Sequence, residues 1–521
     1  MSPLRHGVVM ASDSGGTPPG PPACVRILVV GGGYVGMYTS LRLQRKLKQR
    51  LREGRAEIVV VTPEPYMTYQ PFLPEAAAGS ISPRHVVVPL RRVLAHCRIV
   101  IGEARHIDHS GRTATVAARH IDHSGRTATV ATLATMEDGT GAVEIPYDEL
   151  VLAPGSVSRT LPVPGLADHG IGFRTVEEAI GLRNHVIEQM DIASTTRDPA
   201  LRAAALTFVF VGGGYAGVEA LAELEDMARH ASRYYRNIKA EDMKWILVEA
   251  SGRILPEVGE VLGLYVIREL RGRNIDVRLD TRLESCEHRV AVLSDGSRIP
   301  TRTLVWTAGV KPAPVLAATD LPLDECGRLR CTAELAVEGV EHAWAAGDAA
   351  AVPDLTASEK GVSTAPNAQH AVRQAKVLAG NVLASLDGGP LKEYRHASMG
   401  SVASLGLHKG VAQVRGRALK GCPAWLLHRT YHLSRVPTLN RKARVLAEWT
   451  LAGLFRREVV SLGSLEHPRA EFERAAGGGR PGPGGPPTTG GPPGPGRPMG
   501  PGGPPGPRRP AGPDGPPGHG S

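Results

Sequence analysis

Short apolar runs, each closed by glycine, give this chain its pattern. Ile27 to Val30 and Phe208 to Val211 are continuous apolar stretches, and each runs through three glycines into a segment with helical spacing. Runs of this kind predict strands buried on both faces, as in parallel sheets. After the first come a predicted helix over Met37 to Arg52 and a second strand at Glu57–Val61. A β-rich stretch then ends on Tyr147 to Gly155. The alternation restarts after residue 166 and closes on Leu304 to Gly309. Another apolar run, Ala343 to Ala346, stops at Gly347-Asp348. Strand, glycine turn and helix repeated in this way predict an α/β fold with two Rossmann-like units. Residues 25–165 and 306–390 form one unit, and residues 166–305 form a second inserted in it. Residues 391–474 form a separate C-terminal region, and residues 1–23 and 477–521 read as disordered.

The two glycine turns carry the first chemistry. Gly31, Gly33 and Gly36 have the G-x-G-x-x-G spacing, and Gly212, Gly214 and Gly217 repeat it 181 residues later. Between strand and helix this motif is a phosphate site: the glycines permit the turn, and the helix N-terminus holds a pyrophosphate. Two such sites imply two dinucleotides and electron transfer between them. The second strand of such a unit ends in an acid that holds the ribose hydroxyls. Glu249, after Trp245 to Val248, fits, and its charge would repel a 2′-phosphate, which favours NADH over NADPH. In the first unit Thr62 stands at that position, so either Thr62 makes a weaker hydroxyl contact or Glu64 reaches back. Gly347 would admit a close backbone approach, and Asp348 would bind the ribityl hydroxyls of a flavin.

Charge is unevenly distributed. Between Gly406 and Arg457 stand eleven lysines and arginines against one acid, Glu448, which accounts for the whole formal charge of +10. Trp425, Leu426, Leu427, Tyr431 and Leu433, then Val445, Leu446, Trp449, Ala452 and Phe455, interleave with these cations. Aromatic and basic residues on such helices predict an amphipathic surface lying on anionic lipid. A basic helix packed on the body is the plainer alternative. No recognition motif accompanies the charge, so nucleic acid is not expected. No apolar run approaches the roughly 18 residues of a membrane span, and no signal peptide opens the chain, which predicts the cytoplasmic face of the cell membrane. The 6 cysteines are scattered, and none lies between Met37 and Arg92, which disfavours thiol chemistry. Residues 104–117, ARHIDHSGRTATVA, recur letter for letter at 118–131. The four histidines of this repeat lack the cysteines or carboxylates of a metal site. A duplicated hairpin is expected, one copy paired in a sheet and the other bulging outward.

The order of these motifs resembles that of the two-dinucleotide-binding-domain flavoproteins, and within them the type II NADH dehydrogenases, single-subunit NADH:quinone oxidoreductases, over about residues 25–470. Ala365 to Gln374, APNAQHAVRQ, is the most discriminating piece. The resemblance implies an NADH domain inserted in an FAD domain, with hydride passing from NADH to FAD and two electrons then passing to a quinone without proton pumping. It implies that Gln369 and Gln374 line the quinone pocket, and that Glu219 handles a proton at the nicotinamide–flavin junction. Gly31, Gly33, Gly36, Thr62, Glu64, Gly155, Gly347 and Asp348 would serve FAD, and Gly212, Gly214, Gly217, Glu249 and Gly309 would serve NADH. Thr62, the duplicated 14-mer and Pro154 depart from the family pattern. The alternatives are a soluble NADH-dependent reductase of a small redox protein and a poorly active FAD- and NADH-binding sensor. A homodimer is left open.

Overall fold

The computed structural model describes residues 24–102, 106–108, 113–115, 128–130, 143–359, 361–396 and 400–455. The expectations for residues 1–23, for 456–474, for the tail 477–521 and for most of the second copy of the duplication lie outside the described residues. Within the first nucleotide-binding unit are β1 (Val25–Val30), α1 (Tyr34–Lys46), β2 (Ala56–Thr62), α2 (Leu73–Ala77), β3 (Arg98–Ile101) and β4 (Glu149–Leu152). A connecting strand, β5 (Ser156–Ser158), leads to β6 (Gly170–Gly172), α3 (Val176–Thr195), β7 (Thr207–Val211), α4 (Tyr215–Ala231), β8 (Lys244–Val248), β9 (Ile275–Arg278) and β10 (Thr303–Trp306). The chain returns through β11 (Val310–Pro312) to β12 (Ala343–Ala345) and α5 (Ala368–Leu386). Last come β13 (Gly400–Ser404), β14 (Gly410–Val414), β15 (Arg417–Lys420), α6 (Cys422–Arg435) and α7 (Leu439–Leu454).

Two five-stranded sheets result, in the orders β12-β4-β1-β2-β3 and β6-β10-β7-β8-β9. Every pairing in both is parallel. The central strands β1 and β7 lie between neighbours on both sides and carry the two glycine turns at their C-terminal ends. Their near-complete burial explains why they read as unbroken apolar runs. The second sheet is wholly contained between β4 and β12 of the first. The strands that lead into it and out of it, β5 and β11, pair antiparallel from Ser156↔Pro312 to Ser158↔Val310. Gly155 and Gly309, at φ +73° and +92°, stand immediately before these two strands.

The helix expected over Met37 to Arg52 starts earlier, at Tyr34, and is interrupted at Leu47 before a short helical turn at Lys48–Arg52. Residues His106–Asp108 and Thr113–Thr115, both in the first copy of the 14-mer, form an antiparallel hairpin. From the second copy, Ala128–Val130 pairs parallel with Thr113–Thr115, placing Ala128 against Ala114 and Thr129 against Thr115. Each residue thus faces its own duplicate.

The C-terminal region is a three-stranded antiparallel sheet followed by the α6–α7 hairpin. Its two tryptophans do not face outward as the sequence pattern suggests, whereas Phe455 does. Arg429, one of the basic residues expected to meet lipid, is buried. Its guanidinium carbon lies 4.3 Å from the Trp425 ring and 4.7 Å from the Trp449 ring, a cation held between two aromatic faces. Both tryptophans are partly buried, and leucines occupy the exposed positions instead.

Candidate active site

Each glycine of the two turns meets a different requirement. Gly31 and Gly212 have φ of +108° and +115°, a conformation that side chains disfavour. A Cβ at Gly31 would collide with the Ala153 carbonyl, and one at Gly212 would press on Thr307. Gly36 and Gly217 lie against the carbonyls of Gly31 and Gly212, so helix and strand can approach only without side chains there. Gly33 and Gly214 have open space where a Cβ would stand. Each is the N-cap of its helix, with no side chain capping the first amides. Two helix N-termini with free approach and exposed N–H donors fit two pyrophosphates.

The ribose positions differ. The Glu249 carboxylate accepts from Gly213 N at 2.6 Å through one oxygen and from Ser251 N and Oγ at 2.8 Å through the other. It is thereby fixed at the rim of the second glycine turn. Thr62 is buried and its hydroxyl donates to the Glu64 carbonyl at 3.1 Å, while the Glu64 side chain is exposed. Asp348 follows Gly347, whose φ is +73°. Its carboxylate accepts from Ser156 Oγ at 2.6 Å.

The glutamine helix is α5, capped by Asn367, which accepts from His370 N at 2.8 Å. Its two glutamines occupy different surroundings. Gln374 is buried; its Oε1 accepts from Gly347 N at 2.7 Å and its Nε2 donates to Thr364 Oγ1 at 3.1 Å. It therefore holds the Gly347-Asp348 turn. Gln369 is half-buried, donating to the Gly400 carbonyl at 3.3 Å, with His396 Nε2 3.2 Å from its Oε1.

Glu219 lies on the second turn of α4 and is only 6% exposed. Its Oε1 accepts from Ser404 N at 2.7 Å, and Ser404 Oγ donates to Glu223 at 2.9 Å. His428 Nε2, from α6, is 3.3 Å from the same Glu219 oxygen. Burial alone would strip the proton from His428; Glu219, Glu75 and Glu223 outweigh it and raise its pKa above the ordinary histidine value. His432, one turn on, is instead driven well below that value by burial, with help from His428 and Arg435. Glu75 on α2 accepts from Trp449 Nε1 at 2.7 Å and pairs with Arg429 at 3.3 Å. Ser404, His428, Glu75 and Arg429 were not among the candidates from sequence. Glu75 and Arg429 are 354 positions apart, and neither belongs to a motif.

No group of three or more histidine, cysteine or carboxylate side chains among the described residues could hold a metal ion. Cys97 is pushed up to about 12 by burial, and burial also raises Cys331, so neither thiol ionises near neutral pH.

Two parallel sheets, one inserted in the other, each ending its central strand on a glycine turn, define a two-dinucleotide oxidoreductase. The chain belongs to the pyridine nucleotide-disulphide oxidoreductase family, which residues 25–375 match. It is 26% identical over 452 residues to the type II NADH:quinone oxidoreductase Ndh of Mycobacterium tuberculosis, covering 84% of this chain and 90% of that protein. To the demethylphylloquinone reductase NdbB of Synechocystis it is 29% identical over 435 residues, covering 81% and 95%. The structure of NDH2 from Plasmodium falciparum in complex with NADH superposes with a TM-score of 0.72 at 15% identity, covering 84% of this chain and 99% of that one.

Proposed function

We propose that this chain is a membrane-peripheral flavoenzyme that oxidises NADH and reduces a quinone. The observation that carries the reading is the seating of the glutamine-bearing helix on the first nucleotide unit, where it packs along α1 and bonds through Gln374 directly to the Gly347-Asp348 turn. The names of the Mycobacterium and Synechocystis relatives support the quinone as acceptor. FAD, when bound, supplies the two-electron carrier between nicotinamide and quinone. Gly31, Gly33 and Gly36 would admit its pyrophosphate, Gly347 and Asp348 its ribityl chain, and Gly155 the turn beside it. Thr62 has its hydroxyl committed to Glu64, so it would serve the ribose by shape. Gly212, Gly214 and Gly217 would hold the NADH pyrophosphate, with Gly309 opposite and Glu249 on the ribose. Gln369, at the open N-terminal end of α5, would face the quinone. Gln374 would act through the flavin turn it holds.

Membrane contact is proposed from the α6–α7 hairpin. Leu426, Leu439, Leu446, Leu451, Leu454 and Phe455 are exposed there beside Arg435, Lys442 and Arg444. Apolar residues flanked by cations suit the interface of an anionic leaflet, which favours the cytoplasmic face. Among the described residues no helix is long and apolar enough to cross a membrane.

The test separates the two half-reactions. NADH should bleach the flavin anaerobically, and added quinone should restore its colour. Gln369→Ala should slow the second step about tenfold or more while leaving the first within about twofold, on the usual scale of a lost positioning contact. Equal loss in both steps would remove Gln369 from the quinone site.

A further inference from the structure

A quinone that takes up two electrons and one proton as a hydride equivalent is left with one oxygen as a hydroxyl and the other as an anion. The side chains at the open end of α5 bear on what steadies that anion. Residues four apart on a helix share a face, and residues five apart do not. Arg373 is four positions after Gln369, and Gln374 is five. The two divide accordingly: Gln374 is buried against the Gly347 turn, while Arg373 stays partly exposed. Arg373 Nη1 donates to the Gln369 carbonyl at 3.0 Å, which lays the guanidinium back along the first turn beside Gln369. A guanidinium has five N–H donors and keeps its charge. Arg373 forms no ion pair among the described residues; Asp387 and Glu393, beyond the far end of α5, pair with Arg50 and Arg395. The Asp354 carboxylate accepts from Thr356 N and Oγ1 in its own loop at 2.9 and 2.7 Å. Three further titratable groups line this end. His370 Nδ1 is 2.9 Å from the Tyr394 hydroxyl, and His396 Nε2 is 3.2 Å from Gln369 Oε1. An amide oxygen only accepts, so His396 donates from Nε2. Burial lowers the pKa of both histidines; Arg373 lowers them further, and Asp354 pulls the other way. Burial pushes Tyr394 up to about 12. All three are therefore predominantly neutral near pH 7, and Arg373 is the cation beside Gln369.

We propose that Arg373 is a catalytic residue of the quinone site, binding the quinone oxygen that becomes anionic and stabilising its charge. The proposal rests on the quinone-reductase reading above. Gln369 and Arg373 then meet one substrate from successive turns of one helix. The quinone receives the hydride equivalent that NADH supplies by way of the flavin. Two electrons and a proton enter, one oxygen becomes O–H, and the other becomes an O⁻ held by the guanidinium N–H donors. The O⁻ then takes the second proton from solvent, and quinol leaves. A fixed cation suits this step because it is charged and oriented before the anion forms. His396 acts through Gln369 and is a positioning residue. It occupies the amide oxygen while the Gly400 carbonyl takes one amide hydrogen, which leaves the second amide N–H for the substrate.

The test uses the flavin-loaded full chain with two readouts. The first is quinone reduction after anaerobic reduction by NADH, across water-soluble benzoquinones whose quinols differ in acidity. R373Q should slow it about 100-fold, the scale of a lost oxyanion donor, while its flavin reduction by NADH stays within about twofold. The loss should grow as the quinol anion becomes more basic. R373K keeps a cation and should recover about tenfold of the loss. A residue that only props the helix would cost the same for every quinone. The second readout is a histidine titration by NMR on ring-labelled protein without quinone, with the His370 and His396 signals identified by their absence in H370Q and H396Q. Both should titrate below the ordinary value of about 6.5 in the wild type and move upward in R373Q. R373M is made alongside should R373Q fail to fold. An R373Q or R373M enzyme that reduces every quinone at the wild-type rate overturns the proposal and leaves the quinone reading standing. A loss equal in R373K and R373Q and uniform across the quinones overturns it too, as do histidine signals that R373Q leaves in place. Wild-type protein that bleaches with NADH but leaves quinone untouched overturns the quinone reading itself and the proposal with it, a result seen without any variant.

Discussion

On the proposed reading, single residues would decide which nucleotide each sheet takes. Glu249 is held at the rim of its turn by three donors, Gly213 N, Ser251 N and Ser251 Oγ. A carboxylate fixed there would accept from ribose hydroxyls and repel a phosphate. Removing it in Glu249→Ala should cost about 1.5–3 kcal/mol of a charge-assisted hydrogen bond. The kcat/KM for NADH should then fall about tenfold or more while that for NADPH changes less, as steady-state assays with each nucleotide would read. Gln374 invites a second prediction. In Gln374→Leu the Gly347 N–H loses its acceptor in a buried setting, which costs about 1–3 kcal/mol. The purified variant should carry less flavin and melt at a lower temperature; unchanged flavin content would show that the turn is held by other contacts. These glycines, Glu249 and Asp348 were legible in the sequence because a motif fixes each to a strand end. The partner of Gln374 was not, since a helix pattern marks a residue's face but not the backbone amide it meets 27 positions away.

At the scale of elements, the α6–α7 hairpin was legible as two helices and illegible in orientation. Its charge and aromatic content suggested a surface device. In the fold, its central arginine and Trp449 turn inward to meet Glu75, with Trp425 against the arginine, because a buried carboxylate needs a matching cation. Arg429→Ala leaves Glu75 buried without its charge partner and should destabilise the protein by about 3–5 kcal/mol; Arg429→Lys should recover little, lacking the planar group that fits between two rings. The two histidines on α6 give the folded state a pH dependence with two limbs. His428 has a raised pKa, so its contribution is fully present below the unfolded value of about 6.5 and is lost as pH rises through the folded value. His432 has a depressed pKa, so it costs nothing above about 6.5 and destabilises as pH falls below it, where the unfolded chain takes a proton that the folded chain refuses. Melting temperature should therefore peak near pH 6.5, with His432→Phe flattening the acid limb and H428Q the alkaline one. A single-sided profile in the wild type would mean that one of the two couplings is absent.

For the whole molecule, the two sheets share one strand plan, and the second is threaded into the first through the β5–β11 pair. Glycines with positive φ ahead of both crossing strands let the chain turn between the sheets. The hairpin that carries the exposed leucines also carries His428 and Arg429, so the proposed membrane contact and the buried charge cluster share one element. This couples two tests that would otherwise look independent. Deleting residues after 405 removes the exposed leucines but also strands Glu75 and Glu219, so lost activity would say nothing about membranes. The clean variant changes only exposed positions: Leu446, Leu451 and Leu454, which are 53%, 53% and 73% exposed, to serine. At about 25 cal/mol per Å² each buried leucine contributes roughly 1 kcal/mol or more to interfacial binding. The triple variant should therefore partition onto anionic vesicles at least about 100-fold more weakly. Its melting temperature and its flavin reduction by NADH should match those of the wild type, and its reduction of a water-soluble quinone should be unchanged. Turnover of a lipid-embedded quinone should fall with vesicle binding. Equal partitioning of wild type and variant would exclude these leucines from membrane contact and leave the hairpin with its inward role alone.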